Sequence, residues 1–441
     1  MKQSIMEALN GISLSDPIDT KADRADASNL IRLPPEIIHE ILTHLECPAL
    51  LSLIRTCRSM RMHGENELLW ANLIRESLPN PPETSSPCST FRSLYLGHHP
   101  YWFLPKHVLW FSDNAHTGKL ILVKFDPRKR LIEGYRMLGR KGDGIIEDWS
   151  YNPAVIIHSF EPKVTLHRDR PVLKLKHIDS TSDTRRQGWW EGETHMKVGS
   201  DAHDNVFATF FLSRVMPKQL QDSSMELWPP RLIPAQERVR STSQDNFQGW
   251  GHKPQKFEDI STTTFRLRTW MQFSAGGSAF GVRMGEEVST WSTLDPKLYT
   301  PTEEKPYQGI WVGDYAGHGC EFLLITQRNS VEDETYETRN GGWNRWNADL
   351  PEDEIDMRVV MANTPQGGGD VQDDSKFNGR IEAIKLTGDV NVPRGEYSWI
   401  ANDIGSAGFI RVAEEEPFRG ARIVKSRAHL AARGYQDGLC I

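Results

Sequence analysis

The first periodic pattern of apolar residues lies in the stretch LPPEIIHEILTHL, residues 33–45. Its isoleucines and leucines recur at intervals of three and four residues, which predicts one amphipathic helix. Pro34 and Pro35 suit the first turn of that helix, because the N–H groups they lack would have no partner there. Residues 1–28 are polar and charged without a period, so a disordered tail is expected before the helix.

Two further short helices are predicted between the first helix and residue 77. A Cys-Pro pair at residues 47–48 ends the first helix, and Leu50, Leu53 and Cys57 mark the apolar face of a second. A third helix is predicted from Glu67 onward. Three short helices in about fifty residues bury too little apolar surface to be stable alone. The pattern therefore predicts a small helical unit that packs against a partner.

The pattern then changes to that of β-strands. The stretch PNPPETSSPCST at 79–90 concentrates Pro and Ser and predicts a connector. After it, short runs rich in β-branched and aromatic residues recur between Gly, Pro, Asp and Asn, from HVLWF at 107–111 to ARIVKS at 421–426. Closely spaced strands of this kind favour an antiparallel barrel or sandwich, since parallel strands need long crossovers.

One hairpin is predicted with particular clarity. The segment KLILVKFDPRKRLIEGYRML, residues 119–138, consists of two apolar runs around a polar turn that carries Arg128, Lys129 and Arg130. Two uses of this basic turn are open. It is either a solvated hairpin tip or a means of attracting an acidic substrate.

The predicted fold class is α+β and multidomain. An N-terminal three-helix unit is followed by a mainly antiparallel, β-barrel-like domain. Two long polar stretches, at about 216–258 and 329–376, predict insertions between strands of that domain. The predicted boundaries are a disordered tail at 1–28, the helical unit at 29–77, a linker at 78–98 and the β domain at 99–441.

Charge and cysteine content narrow the possible functions. The chain has 52 Lys and Arg against 59 Asp and Glu, so it lacks the basic excess of a general nucleic-acid binder. Its five cysteines form no CxxC pair, which argues against zinc ribbons, RING-type sites and a disulfide framework. No run approaches the ~20 apolar residues that span a bilayer. The cytoplasm, the nucleus or both are the expected location, with neither nucleic acid nor membrane as a partner.

Several local motifs approach catalytic or metal-binding signatures but have the wrong spacing. His39 and His44 are five residues apart, so their rings lie about 140° apart around a helix and two solvated histidines are expected. In the stretch GGSAFG at 276–281 the last glycine comes one place too late for a nucleophile elbow. His318 and Cys320 have no second cysteine nearby. The sequence therefore predicts no catalytic residue, no metal site and no cofactor.

An ordered series of positions runs through residues 30–76. It consists of Leu33, Pro34, Glu36, Ile37, Ile41, Leu45, Leu50, Leu53, Cys57, Arg58 and Trp70. This series resembles the F-box, the three-helix segment that docks on the adaptor Skp1. The resemblance implies a non-catalytic substrate receptor of a Skp1-cullin-F-box (SCF) ubiquitin ligase, with Skp1 and through it a cullin as partners. The residues it implies for Skp1 binding, some of them internal to the F-box, are Leu33, Pro34, Ile37, Ile41, Leu45, Leu53 and Trp70.

The β domain carries a second resemblance. The segments GIWVGDYAGHGCEFLLI at 309–325 and KLTGDVNVPRGEYSW at 385–399 follow each other in order. With DPRKRLIEGYRM, VIIHSFEPKV and SRAHLAARGY they resemble the substrate domain of the F-box-only protein 31 family and its fungal relatives. The resemblance implies a β-barrel that binds a protein substrate for ubiquitination and degradation, in known cases through a C-terminal degron.

Three residues of the first segment are candidates for substrate binding: Trp311, Tyr315 and His318. Core packing is the alternative for Trp311. Tyr315 and His318 either tie down a glycine-rich turn or present their polar tips to a peptide. Two other functions remain open. One is an enzyme whose barrel encloses a small molecule, with His318 or Glu321 as acid-base groups; the other is an F-box scaffold that binds Skp1 outside any ligase.

Overall fold

The structure is a computed structural model of the 441-residue chain. Helices occupy the N-terminal part of the described residues and β-strands nearly all of the rest, which confirms the predicted α+β class. The structure describes residues 29–142, 162–177, 193–199, 205–217, 227–241, 253–273, 282–315, 319–328, 357–361, 377–416 and 418–428.

The N-terminal unit contains four short helices, one more than the sequence predicts. The additional break lies at Cys57, which is extended at φ −154° and accepts a hydrogen bond on Sγ from the Met60 N–H. This bond caps the next helix, so the predicted second helix is two helices. After a 3₁₀ turn at Asn29–Arg32, the helices are α1 at Pro35–Thr43, α2 at Cys47–Leu53, α3 at Arg58–Gly64 and α4 at Glu67–Ser77.

Two more helices connect this unit to the β domain: α5 at Phe91–His98 and α6 at Phe103–His107. Helix α5 lies inside the segment 78–98 that was predicted to be a linker. It begins there because Thr90 caps it by accepting the Ser93 N–H on Oγ1 at 3.0 Å. Glu67 of α4 accepts the Phe91 N–H at 2.7 Å, which fixes α5 against α4. The last part of the predicted linker is therefore packed helix.

Seventeen strands are present in the described residues, and they form two larger sheets and a small two-stranded one. The small sheet pairs β7 with β8. In chain order the strands are β1 Leu109–Ser112, β2 Leu120–Asp126, β3 Leu131–Arg140, β4 Lys163–Lys176, β5 Glu193–Lys197, β6 Val206–Arg214, β7 Leu227–Trp228, β8 Val239–Arg240, β9 Ile260–Phe273, β10 Val282–Thr293, β11 Gly309–Asp314, β12 Cys320–Arg328, β13 Met357–Met361, β14 Arg380–Lys385, β15 Tyr397–Ala401, β16 Phe409–Val412 and β17 Arg422–Ala428.

The two larger sheets are antiparallel half-barrels, as the strand spacing predicts. The first has the order β4-β3-β2-β1-β10-β9-β6-β5. The second has the order β11-β12-β14-β15-β17-β13, with β16 also paired to β17. The predicted hairpin is present as β2 and β3, with Asp126 opposite Leu131 at its end.

Several strands were not predicted, and β10 shows why. Gly285 has a φ of +64°, and the register with β9 shifts between Met284 and Glu287. A bulge of this kind interrupts the alternation of apolar and polar residues on which a strand prediction depends. The other strands without a prediction are β4, β5, β7, β8 and β13. The run AVIIHSF at 154–160 is one of the β-branched and aromatic runs for which a strand is predicted, and it lies outside the described residues.

Aromatic side chains dominate the core of the first sheet. Trp110 of β1 contacts Phe265 of β9 with ring centroids 4.9 Å apart, and Phe265 stacks on Trp291 of β10 at 5.9 Å. All three side chains are essentially excluded from water. Burial of rings this large stabilises strands whose other inward residues are small or polar.

A second apolar cluster joins the two sheets and includes part of a predicted insertion. Trp228, Ile233 and Val239 are fully buried in it. They pack with Phe111 of the first sheet and Leu324 of the second. The part of the predicted insertion at 216–258 that contains them is therefore core. Of the other predicted insertion, at 329–376, the structure describes only Met357–Met361, which pairs with β17.

The connecting segment of α5 and α6 packs directly on the first sheet. Phe125 of β2 lies 5.3 Å from the His98 ring and 5.2 Å from the Trp102 ring, centroid to centroid. Gly97 of α5 approaches the His177 ring so closely that a Cβ atom would lie 2.0 Å from its Nε2. A larger residue at Gly97 would therefore push α5 away from the end of β4.

Candidate functional site

Helix α1 has two apolar faces, and only one of them is buried. Ile38 and Leu42 point into the helical core and are 2% and 1% exposed. Ile37 and Ile41, each one residue earlier and thus about 100° around the helix, are 48% and 37% exposed. Leu33 precedes them on the same side at i−4 and is also exposed. A helix whose outer face is as apolar as its inner face is typical of a docking element.

We call Leu33, Pro34, Ile37 and Ile41 the α1 face. Pro34 is exposed and adopts the extended conformation that precedes the helix, with a ψ of 145°. Pro35 occupies the first helical position, as predicted. Two further exposed apolar side chains come from neighbouring helices and were not predicted as candidates: Met62 of α3 and Leu68 of α4.

The remaining candidates for Skp1 binding lie deeper in the helical unit. Leu45 and Leu53 are half-buried and pack against its core. Trp70 is fully buried and donates its indole N–H to the Gly64 carbonyl at 2.8 Å. Trp70 therefore supports the helices from inside, whereas the α1 face is available to another molecule.

A pair of histidines connects two of these helices. His39 Nε2 of α1 lies 3.2 Å from His63 Nδ1 of α3, and the Asn66 side chain lies 3.2 Å from His39 Nδ1. The sequence predicts that His39 is solvated, but its ring is partly buried in this network. His44 is exposed, 3.4 Å from Glu40. In the described residues no group of three or more His, Cys, Asp or Glu side chains is suited to hold a metal ion.

The β domain contains a buried charged cluster at Tyr315. Lys385 is 1% exposed, and its Nζ lies 2.6 Å from Glu321 Oε2. The same ammonium lies 4.3 Å from the centroid of the Tyr315 ring and 3.9 Å from Asp389. The Tyr315 hydroxyl is 2.7 Å from Ser398 Oγ. We call Tyr315, Glu321, Lys385, Asp389 and Ser398 the Lys385 cluster.

Burial changes the protonation of this cluster. It raises the pKa of Glu321 to about 7, although Lys385 at hydrogen-bonding distance acts in the opposite direction. Burial also raises the pKa of Tyr315, so that its hydroxyl remains a hydrogen-bond donor. The cluster therefore combines a cation, a carboxyl group that titrates near neutrality and a phenol.

Of the three candidates for substrate binding, the structure describes two, and these two differ in exposure. Trp311 of β11 is 37% exposed, so it is not a core residue. Tyr315 is turned toward Ser398, and its backbone N–H donates to the Gly319 carbonyl at 2.9 Å, which closes the turn. His318 lies outside the described residues. Lys385 and Ser398 were not predicted, because only pairing of β12 with β14 and of β14 with β15 brings them to Tyr315.

The enzyme hypothesis requires a cleft that is lined by its acid-base residues. A cleft of about 140 Å³ is lined by His107, Glu237 and Asp295, among others. Burial lowers the pKa of His107. Glu321, the acid-base residue of that hypothesis, does not line this cleft. No helix in the described residues is long and apolar enough to cross a membrane.

Comparison with known protein families gives two matches. Residues 30–76 match the F-box-like family, over the helices that carry the α1 face. Residues 291–440 match the family described as the cyclin D1 binding domain, which begins in β10 and extends over the second sheet. No curated protein matches the chain. The N-terminal helical unit of this protein is therefore an F-box-like domain.

Proposed function

We propose that this protein is the substrate-recognition subunit of an SCF ubiquitin ligase. The observation that carries the proposal is the α1 face. It consists of exposed apolar residues at i, i+4 spacing on a helix whose other face is already buried. The F-box-like match at residues 30–76 supports Skp1 as the protein that covers it.

Skp1 binding would be driven by burial of this face. Moving a large aliphatic side chain fully out of water is worth about 1.5–3 kcal/mol. Leu33, Ile37 and Ile41 are 37–48% exposed and have only that fraction left to bury, so together they contribute about 2–4 kcal/mol. Skp1 in turn would connect the receptor to a cullin. Since His98 and Trp102 of the connecting segment pack on Phe125 of the first sheet, this segment would set the spacing between the docked adaptor and the β domain.

The β domain would bind the protein that is ubiquitinated. We propose three residues for this contact: Trp311 and Tyr315, on and directly after the outermost strand β11, and His318, which lies outside the described residues. The match to the cyclin D1 binding domain supports a protein as the substrate, and a C-terminal degron is one form in which it would bind. The receptor would raise the rate of ubiquitin transfer by proximity, holding a substrate lysine near a charged conjugating enzyme. Such a receptor would act in the cytoplasm, the nucleus or both.

The Skp1 assignment is tested by a double substitution in the α1 face, Ile37→Glu/Ile41→Glu. Both side chains are exposed, so we expect the fold to persist while co-purification with Skp1 and the cullin is lost. The matched control is Val164→Glu/Val412→Glu, which places the same change at two exposed valines of the β domain. Skp1 retained by the α1 variant, at the level of this control, would reject the assignment.

The ligase role is tested separately from Skp1 binding. Cells that carry the Ile37→Glu/Ile41→Glu variant should accumulate the substrates of the receptor, and a comparison of their proteome with that of wild-type cells identifies them. If Skp1 binding is lost and no protein accumulates, the scaffold hypothesis is favoured. A cullin absent from the native Skp1 complex would lead to the same conclusion.

A further inference from the structure

A concentration of positive charge lies on the outer surface of the first sheet, over β2, β3 and β4. Ile121 and Val123 of β2 point inward and are fully buried, so Lys124 between Val123 and Phe125 points outward. Lys124 lies opposite Glu133 of β3, and Glu133 lies opposite Lys174 of β4. Residues directly opposite one another share a face of the sheet. Two lysines thus flank one carboxylate across three strands.

The charge continues toward the hairpin turn. Lys176 of β4 lies two residues beyond Lys174, toward the turn. It is paired with Leu131 of β3 and is exposed. The turn adds Arg128 and Lys129, both exposed. On the other side of the row, Arg168 is exposed and close enough to the Tyr135 hydroxyl to act on it electrostatically. We call the following six residues the basic face: Lys124, Arg128, Lys129, Arg168, Lys174 and Lys176.

Two carboxylates lie within the basic face, and both have internal partners. Glu133 is 3% exposed, accepts the Tyr135 hydroxyl at 2.9 Å and lies 4.0 Å from Lys129 Nζ. Asp126 accepts the backbone N–H groups of Arg128 and Lys129 at 3.0 and 3.3 Å, which holds the turn. Six cations against two carboxylates leave a local charge of +4, on a chain whose net charge is −7. The basic face therefore has the opposite sign to the net charge of the chain.

The size of the basic face indicates what it fits. Three neighbouring strands span about 10 Å, which is the width of one extended peptide with its side chains. Lys124 and Lys174, two strands apart across the row, lie within about one Debye length of each other and act together on a ligand that crosses the row. Arg168 lies six residues along β4 from Lys174 and extends the charge in that direction. Among its described residues the face contains one aromatic ring, that of Tyr135, and Lys124 Nζ lies 5.4 Å from its centroid.

Nucleic acid fits this surface less well than an acidic peptide. Its binding sites usually combine a wide basic excess with aromatic rings on which bases stack. Here the one ring is covered by Lys124, and the net charge of the whole chain would repel a long polyanion. A short acidic segment avoids both difficulties, since it contacts the six cations without extending far beyond them.

We propose that the basic face is a second docking surface, which binds an extended Asp- and Glu-rich segment of a partner protein. The choice of a protein rests on the proposed receptor function, whereas the charge argument does not. The face lies next to the helical unit, because Phe125 and His177, at the ends of β2 and β4, contact α5. The basic face belongs to the first sheet and the Lys385 cluster to the second, so the two sites would hold different parts of a bound protein.

Fluorescence anisotropy with the full-length protein tests the proposal. The probe is a fluorescein-labelled peptide of about eight residues that alternates Asp and Ser, and a peptide of Asn and Ser is the neutral comparison. We expect binding of the acidic peptide only, weakening as NaCl rises from about 50 mM to about 200 mM. The variant Lys124→Gln/Lys174→Gln should reduce its affinity about tenfold or more.

The control variant is Lys297→Gln/Lys425→Gln, which removes two exposed lysines elsewhere. It should bind the acidic peptide as the wild type does. If Lys124→Gln/Lys174→Gln melts at a lower temperature, Arg128→Gln/Arg168→Gln provides an independent variant that leaves the row around Glu133 intact. Both should retain Skp1, so a failure here is distinct from a failure of the proposed function.

Two results would overturn the proposal. One is equal affinity for the acidic peptide in the wild type and in both basic-face variants. The other is tighter binding of a single-stranded oligonucleotide that carries the same number of negative charges as the peptide, because the occupant would then be nucleic acid.

Discussion

The α1 face and the Lys385 cluster are both candidates for binding, but they are built in opposite ways. The α1 face is apolar and exposed, and its members lie within nine residues of one another. The Lys385 cluster is charged and buried, and its members extend from Tyr315 to Ser398. A periodic pattern is enough to reveal the first, whereas the second exists only after three strands have paired. The two surfaces should therefore respond differently to substitution.

The largest expected effect concerns the residue that supports the α1 face from inside. Trp70→Ala removes a fully buried indole and its bond to Gly64, and should lower the free energy of unfolding by about 4 kcal/mol. Skp1 binding should be lost with it, through loss of the helical fold. Chemical denaturation followed by tryptophan fluorescence and circular dichroism measures the change.

Substitutions of the exposed residues in the same helical unit should affect Skp1 binding without the loss of stability expected for Trp70→Ala. Ile37→Glu/Ile41→Glu should abolish Skp1 binding yet change the free energy of unfolding by less than about 1 kcal/mol, because neither side chain is part of the core. A destabilisation as large as that of Trp70→Ala would mean that the α1 face supports the fold and is not a free surface.

The next effect concerns the buried ion pair. Lys385→Met leaves Glu321 buried without its cation and should cost about 3 kcal/mol. Lys385→Met/Glu321→Leu removes both charges and should recover most of that loss, as measured by denaturation of both variants and of Glu321→Leu alone. If the double variant were as unstable as the sum of the two single variants, Lys385 and Glu321 would not be energetically coupled.

The same pair predicts a dependence of stability on pH. The pKa of Glu321 is about 7 in the folded protein, against an ordinary value of 4.5 in the unfolded chain. Between these values the folded state holds a proton that the unfolded state has released, so stability falls as the pH rises from 4.5 through 7. At about 1.4 kcal/mol for each pH unit between the two pKa values, the free energy of unfolding falls by about 3 kcal/mol over this range. Thermal melts of wild type and Glu321→Gln from pH 5 to 8 isolate it, since the substitution removes the titrating group; parallel melting curves would contradict the assignment.

Features built from neighbours in the chain, as the α1 face is, were predicted from the sequence, whereas features built from distant strands, as the Lys385 cluster is, were not. The helix of the α1 face and the β2–β3 hairpin were predicted, because each is specified by neighbours in the chain. The capping role of Cys57 was missed, since no apolar period marks a cap. The partners of Tyr315 were missed for a different reason: Lys385 and Ser398 are separated from it by at least seventy residues and meet it through strand register. The basic face was predicted only in part: its turn with Arg128 and Lys129 was identified as basic, whereas Lys174 and Lys176 of β4 were not identified.

The smallest effects separate the two interpretations of the residues at the end of β11. Tyr315→Phe removes the hydrogen bond to Ser398 but keeps the ring next to Lys385, so it should cost about 1 kcal/mol. Trp311→Ala, at an exposed position of the outermost strand of its sheet, should cost no more than this. Affinity for a substrate identified in the proteome comparison is then measured for both variants. If Tyr315 binds substrate, its variant loses more affinity than stability. If Tyr315 only closes the turn, the variant loses stability while substrate affinity at low temperature is unchanged, and Trp311 alone remains as the contact.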